Sequence, residues 1–265
     1  MAIEKPVIVM ALYDIGRDTW DNFGLSYNTY LYWMRNTLSL DANFVIYTED
    51  KFIEEIKKMR IEFDENFEKT KIINIPLKEL DCYKQYNDKL NTLMFSDEFK
   101  NKVHHPNVPE MIKPLYNIIM FNKLNFLKDA KDNNYFDADL LIWADAGGLR
   151  DNITNYKNVI YPSLEKINKI DTDKIIFFSH NDDFNIENKE FYAMSQIRNI
   201  QGTAFFVPKT KIDKLLFDFN ETINECINNK FIGSDEKIFD LTYIKDKSKY
   251  HLIKCTWREY FNLFK

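Results

Sequence analysis

The residues best suited to chemistry in this chain of 265 residues are carboxylates that follow apolar runs. Asp145 comes after the apolar run 140–143 and is followed by two glycines, Gly147 and Gly148. Four apolar residues are too few for a helix and suit a strand that is covered on both faces. Open α/β sheets bind their ligands at the carboxyl ends of such strands. The stretch therefore predicts a ligand site, with a turn-capping aspartate as the alternative.

A second pair of carboxylates, Asp235 and Glu236, comes directly after Ser234 near the C-terminal end of the chain. Serine is a common helix N-cap, and acidic residues in the first turn are favoured by the helix dipole. A carboxylate is also a suitable general base for activating a hydroxyl group. The sequence leaves both roles open for this pair.

Further polar groups border other predicted strands. Tyrosine stacks on a base and aspartate accepts hydrogen bonds from polar edges, although the same residues also form turns. A glycine beside a strand allows the backbone to approach a ligand closely. These loop residues are Tyr13, Asp14 and Arg17 after the first strand, His180 and Asn181 after a later one, and Gly202 and Thr203 before another.

Apolar runs alternate with amphipathic stretches along most of the chain. Strands are predicted at 6–13, 43–48, 71–75, 140–143, 174–179 and 205–207, and helices at 26–38, 51–60, 114–131 and 211–228. This alternation indicates a mostly parallel sheet with right-handed crossovers. The stretch 77–103 is predicted to be a polar helical insertion at the edge of the sheet.

Lys123 lies within the predicted helix 114–131, which is apolar on more than one side. A lysine in such a helix either points at a bound ligand or extends its ammonium group to the surface. The helix precedes the Asp145 strand in the chain. Lys123 is therefore a candidate ligand-binding cation.

Composition narrows the class of protein. Hydrophobic residues make up 45% and charged residues 29%, as in soluble globular proteins, and a net charge of -5 argues against nucleic-acid partners. Three separated cysteines without zinc spacing fit a reducing compartment. No run approaches the roughly 18 apolar residues of a membrane span. We expect a cytoplasmic protein, either free or peripheral to the inner face of a membrane.

Several catalytic and nucleotide-binding motifs are missing from the sequence. No GxGxxG follows the first strand and no GxxxxGK[ST] occurs, so dinucleotide and P-loop sites lack support. GxSxG and HExxH are also absent. The adjacent histidines His104 and His105 project in different directions on any regular element, which argues against a metal site there.

Five segments of the chain together resemble the HtrL/YibB-type bacterial proteins, a family of expected glycosyltransferases associated with surface polysaccharide. The segments are VIVMALYDIGR, SYNTYLYWMR, IYTE, PLYNIIMFNK and LLIWADAGG. The resemblance covers residues 7–150 and extends more weakly to Glu236. It implies a GT-A-like fold: a Rossmann-type, mostly parallel central sheet flanked by helices in one continuous domain, residues 1–265. Residues 1–150 would form the nucleotide-sugar-binding half and 151–265 the acceptor-binding half.

The resemblance also bears on metal binding. GT-A enzymes carry an aspartate-any-aspartate motif that binds a divalent metal on the donor diphosphate, and here the first aspartate is Asp145 whereas Gly147 replaces the second. A Mn²⁺ or Mg²⁺ cofactor is therefore in doubt. His251 is the candidate second ligand beside Asp145, and a structural role is its alternative. Without a metal, Lys123 and Arg17 would neutralise the leaving diphosphate.

The function implied is a hexosyltransferase-like enzyme that moves a sugar from a nucleotide-sugar donor to a cell-surface glycan. The acceptor would be lipopolysaccharide, capsule or a glycoprotein glycan. One form of this hypothesis has the acceptor attached to a lipid. The alternative is a catalytically inactive carbohydrate- or nucleotide-binding protein of the same fold. The predicted site is Asp235 and Glu236 for catalysis; Tyr13, Asp14, Arg17, Lys123, Asp145 and Gly147 for the donor; and His180, Asn181, Gly202, Thr203 and Trp257 for the acceptor.

Overall fold

The computed structural model describes residues 2–257 and 259–265. Within these residues the strands are β1 (Pro6–Leu12), β2 (Asn43–Thr48), β3 (Thr70–Asn74), β4 (Leu140–Ala144), β5 (Ile175–Ser179), β6 (Ile200–Pro208) and β7 (Tyr250–Lys254). The α-helices are α1 (Tyr27–Leu38), α2 (Asp50–Arg60), α3 (Asp81–Met94), α4 (Asp97–Lys102), α5 (Pro109–Ile112), α6 (Pro114–Phe121), α7 (Lys123–Asp132), α8 (Leu164–Ile167), α9 (Lys189–Ala193), α10 (Ile212–Asn228), α11 (Asp235–Tyr243) and α12 (Tyr260–Phe264).

The strands form one sheet in the order β3-β2-β1-β4-β6-β5-β7. Strand β6 runs antiparallel to both of its neighbours, and the remaining pairs are parallel. The expected fold class, a Rossmann-type mostly parallel sheet flanked by helices in one continuous domain, is confirmed. From β1 the chain builds outward to β2 and β3, then returns to place β4 on the other side of β1. This reversal creates a switch point between β1 and β4, where α/β sheets bind ligands.

Strand β4 is buried on both faces, as its apolar sequence predicts. Leu141 and Trp143 belong to one core cluster, together with buried residues of α3, α6, α7, α10 and α11. Leu140 and Ile142 belong to a second cluster on the opposite face, with residues of α1, α2 and α12. Side chains alternate between the faces of a strand, so Asp145 continues the Trp143 side toward α7 and α11.

The predicted helix 114–131 is two helices, α6 and α7, which meet at Asn122. The side chain of Asn122 accepts a hydrogen bond from the backbone N–H of Cys82 at 3.1 Å, which ties the start of α3 to the break. The break makes Lys123 the first residue of α7. Lys123 therefore faces the sheet from the first turn of α7 and not from the middle of one long helix.

Two sequence predictions about the periphery differ from the structure. The stretch 77–103 is helical, but α3 buries Tyr86 and Leu90 in the main core, so the prediction of a polar insertion is wrong. The C-terminal tail forms a strand that was not predicted, β7, which pairs with β5. Its side chains are mostly half-buried, which weakens the apolar signal of a strand. No helix among the described residues has the length and hydropathy needed to cross a membrane.

Candidate active site

A cavity of about 290 Å³ opens at the carboxyl ends of β1 and β4, at the switch point of the sheet. Because β6 is antiparallel to β4, its amino-terminal residues Gly202 and Thr203 reach the same edge. The backbone N–H of Asp145 donates to the Thr203 carbonyl oxygen at 2.8 Å, which joins the two strands at the cavity. Four carboxylates and four cations line it: Glu110, Asp145, Asp235 and Glu236 with Arg17, Lys123, Arg150 and Arg198.

Asp145 is held in place by its neighbours on β4 and in the following loop. Trp143 Nε1 donates to Asp145 Oδ1 at 2.7 Å, and the backbone N–H of Gly148 donates to the Asp145 carbonyl oxygen at 2.9 Å. Burial raises the pKa of Asp145, an effect that the ammonium group of Lys123 opposes. The carboxylate is thus fixed at the strand end with part of its surface, 30%, exposed to the cavity.

Lys123 is the central cation of the cavity, and only 1% of its side chain is exposed. Its Nζ lies 3.0 Å from Asp145 Oδ1, 2.7 Å from Asp235 Oδ2 and 2.8 Å from the Gly202 carbonyl oxygen. Burial lowers the pKa of Lys123, but the two carboxylates outweigh burial and raise it above its ordinary value. The alternative in which this lysine reaches the surface is wrong, because the carboxylates satisfy its charge inside the protein.

Asp235 and Glu236 begin α11, where they serve as first-turn acids and also face the cavity. The approach of β6 to Asp235 requires glycine, because a Cβ on Gly202 would lie 2.5 Å from Asp235 Oδ2. The backbone N–H of Gly202 donates to Glu236 Oε1 at 3.2 Å. Burial and the charge of Asp235 raise the pKa of Glu236, against the opposing effect of Arg198. Both carboxylates therefore lie at the same point of the cavity wall.

Arg198 connects two of the cavity carboxylates. Its Nη1 lies 3.2 Å from Glu236 Oε2, and its Nη2 donates to Glu110 Oε1 at 2.9 Å. The guanidinium is half-exposed, with 45% of the side chain accessible. Arg198 thus holds the Glu236 side chain from the outer rim of the cavity.

The opposite wall combines arginines with aromatic rings. Arg17 donates to the Tyr30 hydroxyl, and its guanidinium carbon lies 5.4 Å from the centroid of that ring and 5.8 Å from that of Tyr116. The guanidinium carbon of Arg150 lies 4.1 Å from the ring centroid of Trp33. Burial raises the pKa of Tyr30, and the charges of Arg17 and Arg150 oppose the increase. This wall is positively charged and aromatic.

Two residues of the cavity lining carry buried hydroxyl groups that lack a hydrogen-bond partner among the described residues. These residues, Tyr13 and Ser234, are 4% and 5% exposed. Ser234 occupies the N-cap position of α11, but its hydroxyl makes no capping bond. Buried polar groups are normally hydrogen-bonded, and an unpaired one costs about 1–3 kcal/mol. A ligand that pairs with these hydroxyls would recover that free energy.

Gly147 stands where the second aspartate of a two-aspartate motif would be. A Cβ at this position would lie 3.2 Å from the ring of Trp33 and 3.3 Å from the ring of Tyr30. An aspartate there would press against both rings. The carbonyl oxygen of Gly147 instead accepts a hydrogen bond from Arg150 Nε at 2.8 Å.

Most of the predicted site residues meet at this cavity. The cavity-lining members are Tyr13, Arg17, Lys123, Asp145, Gly147, Gly202, Thr203, Asp235, Glu236 and Trp257. Two predicted acceptor residues, His180 and Asn181, are exposed and lie outside its described lining. Both bond to Asn199, through the His180 backbone N–H at 2.9 Å and the Asn181 side chain at 2.5 Å. These bonds fix the loop after β5, and the acceptor role of His180 and Asn181 stays a prediction.

The prediction that Asp14 binds the donor is not matched by its position. Asp14 Oδ1 accepts a hydrogen bond from the Gly16 backbone N–H at 2.8 Å, and Oδ2 pairs with Lys51. Gly16 has a φ of 73°, the left-handed conformation that favours glycine in a turn. Asp14 therefore fills the alternative role of a turn former and lies outside the described cavity lining.

The prediction that His251 shares a metal with Asp145 is wrong. His251 pairs with Ile176 of β5, Ile176 with Phe206 of β6, and Phe206 with Ile142 of β4. Three steps of about 4.8 Å between strands separate His251 from β4 by roughly 14 Å. One metal ion cannot bridge that distance.

The residues present do not fit a divalent metal. Mg²⁺ and Mn²⁺ need carboxylate oxygens that are free to coordinate, beside phosphate and water. Lys123 Nζ occupies the position between Asp145 and Asp235 where a bridging ion would lie, and both Glu236 oxygens are bonded to Gly202 and Arg198. In the part of the chain that is described, no group of three or more His, Cys, Asp or Glu is arranged to hold an ion.

Several cavity residues were missed from the sequence: Glu110, Tyr30, Tyr116, Arg150 and Arg198. Arg150 had an available signal, because it ends the same loop that begins with Asp145. Tyr30 lies on the helix after the first loop, at a position that was read only as an apolar face. Arg198 and Glu110 belong to irregular or short elements whose sequence gives no indication of the cavity.

Comparison with known proteins identifies the family. The model of the HtrL_YibB family, described as "Bacterial protein of unknown function", matches residues 4–265. The chain therefore belongs to the HtrL/YibB family, and the match extends beyond the segments that carry the resemblance in the sequence. A search of curated proteins finds no match.

Solved structures share the general architecture at low identity. A galactosyltransferase, LgtC, in complex with donor and acceptor sugar analogs, is 11% identical with a TM-score of 0.46, over 93% of this chain and 72% of that one. The glycosyltransferase GlyE of Streptococcus pneumoniae TIGR4 is 10% identical with a TM-score of 0.43, over 94% and 45%. The 4-diphosphocytidyl-2C-methyl-D-erythritol synthase of Anaerococcus prevotii DSM 20548 is 10% identical with a TM-score of 0.41, over 96% and 88%. This chain spans less than half of GlyE, and TM-scores below 0.5 carry no argument about its function.

Proposed function

We propose that this protein is a glycosyltransferase that moves a sugar from a nucleotide-sugar donor to a glycan acceptor. The observation that supports the proposal is the cavity at the switch point of the sheet, whose lining combines charged and aromatic side chains. Arg17 and Arg150 line it with the aromatic rings of Tyr30 and Tyr116, and Asp145, Asp235 and Glu236 line it together with Lys123 and Arg198. Arginine forks and aromatic rings suit phosphates and a base, whereas carboxylates suit sugar hydroxyls.

In this proposal the donor lies between Tyr13 and Asp145, within residues 1–150. Tyr13 lines the cavity at the end of β1. The acceptor enters beside Thr203 and Trp257, within residues 151–265. Residues of both ranges line this cavity, so donor and acceptor would meet next to Glu236.

Glu236 is the proposed general base. The bond between the anomeric carbon and the donor phosphate oxygen breaks, and its electron pair leaves with the nucleotide. The acceptor hydroxyl oxygen forms the new glycosidic bond and gives its proton to Glu236. A carboxylate pKa raised by burial and by Asp235 favours this role, because a base works best when its pKa approaches the working pH. Asp235 bonds to Lys123 and acts by holding it.

The natural acceptor in this proposal is a growing cell-surface glycan, in lipopolysaccharide, capsule or a glycoprotein, assembled in the cytoplasm or at the inner face of the membrane. The support for this narrower statement is the family resemblance. The acceptor is either lipid-linked or free in this proposal. An in vitro reaction with lipid-linked and with free oligosaccharides distinguishes the two, because only the true acceptor gains a sugar.

A binding protein without catalysis is the second candidate, and one observation favours it. Each cavity carboxylate has a cation within ion-pair distance: Asp145 and Asp235 pair with Lys123, and Glu236 pairs with Arg198. Charge pairing lowers the basicity of a carboxylate. Ligand binding with no turnover of any donor would support this candidate.

A thermal-shift screen tests binding first. The protein is heated with UDP-, GDP- and CMP-sugars, with and without Mn²⁺, alongside the variants Asp145→Asn and Asp88→Asn. We expect one nucleotide class to raise the Tm of the wild-type protein and the Asp88→Asn control, because Asp88 is an exposed carboxylate on α3. The shift should be lost in Asp145→Asn. No shift with any nucleotide sugar would contradict the proposed function.

A further inference from the structure

The loop after β4 positions a cation, Arg150, beside Gly147, the residue that stands where a two-aspartate motif would have its second aspartate. The Gly147 carbonyl oxygen accepts from Arg150 Nε at 2.8 Å, and Trp33 packs on the guanidinium, 4.1 Å from its carbon to the ring centroid. The rings of Tyr30 and Trp33 leave little room for a larger residue at Gly147, whose Cβ would lie 3.2–3.3 Å from them. The backbone and the aromatic rings together direct a fixed positive charge toward the cavity.

Lys123 takes the second place that a metal would need. Its ammonium group has three oxygen neighbours within 3.0 Å, two from carboxylates and one from a carbonyl. A cation between two carboxylates at a partly buried site offsets the repulsion between them. Because this lysine is buried between the two carboxylates, its one positive charge offsets part of the charge of Asp145 and Asp235 without contacting the solvent.

The remaining positive charge of the inner cavity comes from Arg17 and Arg150 on either side of Tyr30. Arg17 donates to the Tyr30 hydroxyl, and Arg150 packs on Trp33, whose ring centroid lies 6.0 Å from that of Tyr30. The described partners of Arg17 are a hydroxyl, Tyr30, and a backbone carbonyl, Phe23, both of which are neutral. Arginine binds phosphate through two parallel N–H donors, and an uncharged set of existing partners leaves its charge for an anion.

We propose that this cavity binds the diphosphate of a nucleotide sugar without a divalent cation, through the guanidiniums of Arg17 and Arg150. Lys123 takes the place of the metal by holding Asp145 and Asp235 together. The inference rests on the proposed function, and it specifies the donor as a nucleoside diphosphate sugar, since two guanidiniums match two phosphate groups. Charge on the departing diphosphate is stabilised by fixed side chains that need no ion to be recruited.

Calorimetric titration of the purified protein with UDP, GDP and CDP tests the inference. Each titration is run once with EDTA and once with excess Mn²⁺. We expect at least one nucleotide to bind with the same dissociation constant in both buffers. Arg17→Ala and Arg150→Ala should each weaken that binding by about tenfold to a hundredfold, the range for losing a charge-assisted hydrogen bond. Arg35→Ala is the matched control, because this arginine pairs with Glu62 on the surface of α1.

The outcomes separate the two proposals. Binding that requires Mn²⁺ overturns the metal-free site and leaves the proposed function standing. No binding in either buffer overturns the proposed function itself. Metal-independent binding that survives both alanine variants overturns the assignment of the arginines. If an alanine variant fails to fold, Arg17→Lys and Arg150→Lys test the same assignment. They keep the positive charge but lose the planar guanidinium, so we expect both to bind the nucleotide more weakly than wild type.

Discussion

Two cations, Arg60 and Lys123, are buried to the same extent but in different surroundings. Each side chain is 1% exposed. Arg60 lies at the end of α2 and donates to backbone carbonyls of the segment after α1: to Leu38 at 2.6 Å, to Leu40 at 3.3 Å and to Ala42 at 3.2 Å. Lys123 begins α7 and has two carboxylates as neighbours. Arg60 thus bonds mainly to backbone carbonyls, whereas Lys123 pairs mainly with charged side chains.

The pKa values of the two cations move in opposite directions. Burial lowers the pKa of Arg60, since its closest carboxylate oxygen, in Asp64, is 3.8 Å away. Carboxylates at 2.7 and 3.0 Å raise the pKa of Lys123 in spite of burial. Arg60 fixes the conformation of the backbone segment whose carbonyls it binds. Lys123 fixes the positions of two carboxylates that line the cavity. The comparison predicts that Arg60 contributes to stability alone and Lys123 to both stability and function.

Replacing Lys123 should have the largest effect. Lys123→Met leaves Asp145 and Asp235 without their shared cation, so we expect the free energy of unfolding to fall by about 3–5 kcal/mol. Adding Asp235→Asn removes the repulsion and should restore most of the stability but no sugar transfer. Urea denaturation and a donor-turnover assay on both variants measure this. Full activity in the folded double variant would contradict the role of Lys123.

Arg60→Met should change stability alone. Three carbonyls lose a charged donor at a cost of about 1 kcal/mol each, so we expect a loss of about 3 kcal/mol in unfolding free energy. The nucleotide dissociation constant should equal that of wild type. Urea denaturation and calorimetry at a temperature where the variant is folded check both values. A changed nucleotide affinity would break the distinction between the two cations.

Glu236→Gln should reduce turnover by about a hundredfold with little change in nucleotide affinity, which is the effect of removing a general base. In wild type, turnover should rise with pH as Glu236 loses its proton. Because its pKa is raised, this rise lies above the ordinary value of about 4.3, and Lys123 stays charged throughout. A pH profile of turnover for wild type and Glu236→Gln measures it. An identical rise in the variant would assign the base elsewhere.

Gly147→Ala should have the smallest effect. Its new Cβ would lie 3.2–3.3 Å from the rings of Trp33 and Tyr30, and crowding of this size costs about 1 kcal/mol. Displacement of the Tyr30 ring should also weaken nucleotide binding severalfold. Gly16→Asn, in a turn beside β1, serves as the control, because asparagine tolerates the left-handed conformation of Gly16. Gly24→Ala is unsuitable as a control, because its Cβ would lie 2.6 Å from a backbone oxygen. Unchanged binding in Gly147→Ala would show that the rings can move.

The sequence predicted the strand that ends at Asp145, the cavity edge and the importance of Lys123, because buried strands and switch-point ligand sites follow from apolar patterning. It did not predict which groups meet there. Lys123 and Asp235 are 112 residues apart in the chain, and their contact depends on the antiparallel strand β6 and on the glycine at 202. No periodicity in the sequence encodes such a contact.

The errors have physical causes of the same kind. His251 was paired with Asp145 because both are possible metal ligands, but the strand order, which the sequence does not specify, puts them three strands apart. Asp14 forms a turn, and the glycine two residues later, Gly16, is a sequence signal for that turn. Arg198 lies in a loop without regular structure, so nothing in the local pattern connects it with Glu236.

The most direct test of the central claim measures release of nucleotide from UDP-, GDP- and CMP-sugars by mass spectrometry, with wild type, Arg60→Met and Lys123→Met compared at equal folded concentration. The account predicts that wild type and Arg60→Met release nucleotide from the same donor and that Lys123→Met releases none above the uncatalysed rate. Undiminished release by Lys123→Met, or no release by wild type from any donor, would contradict it.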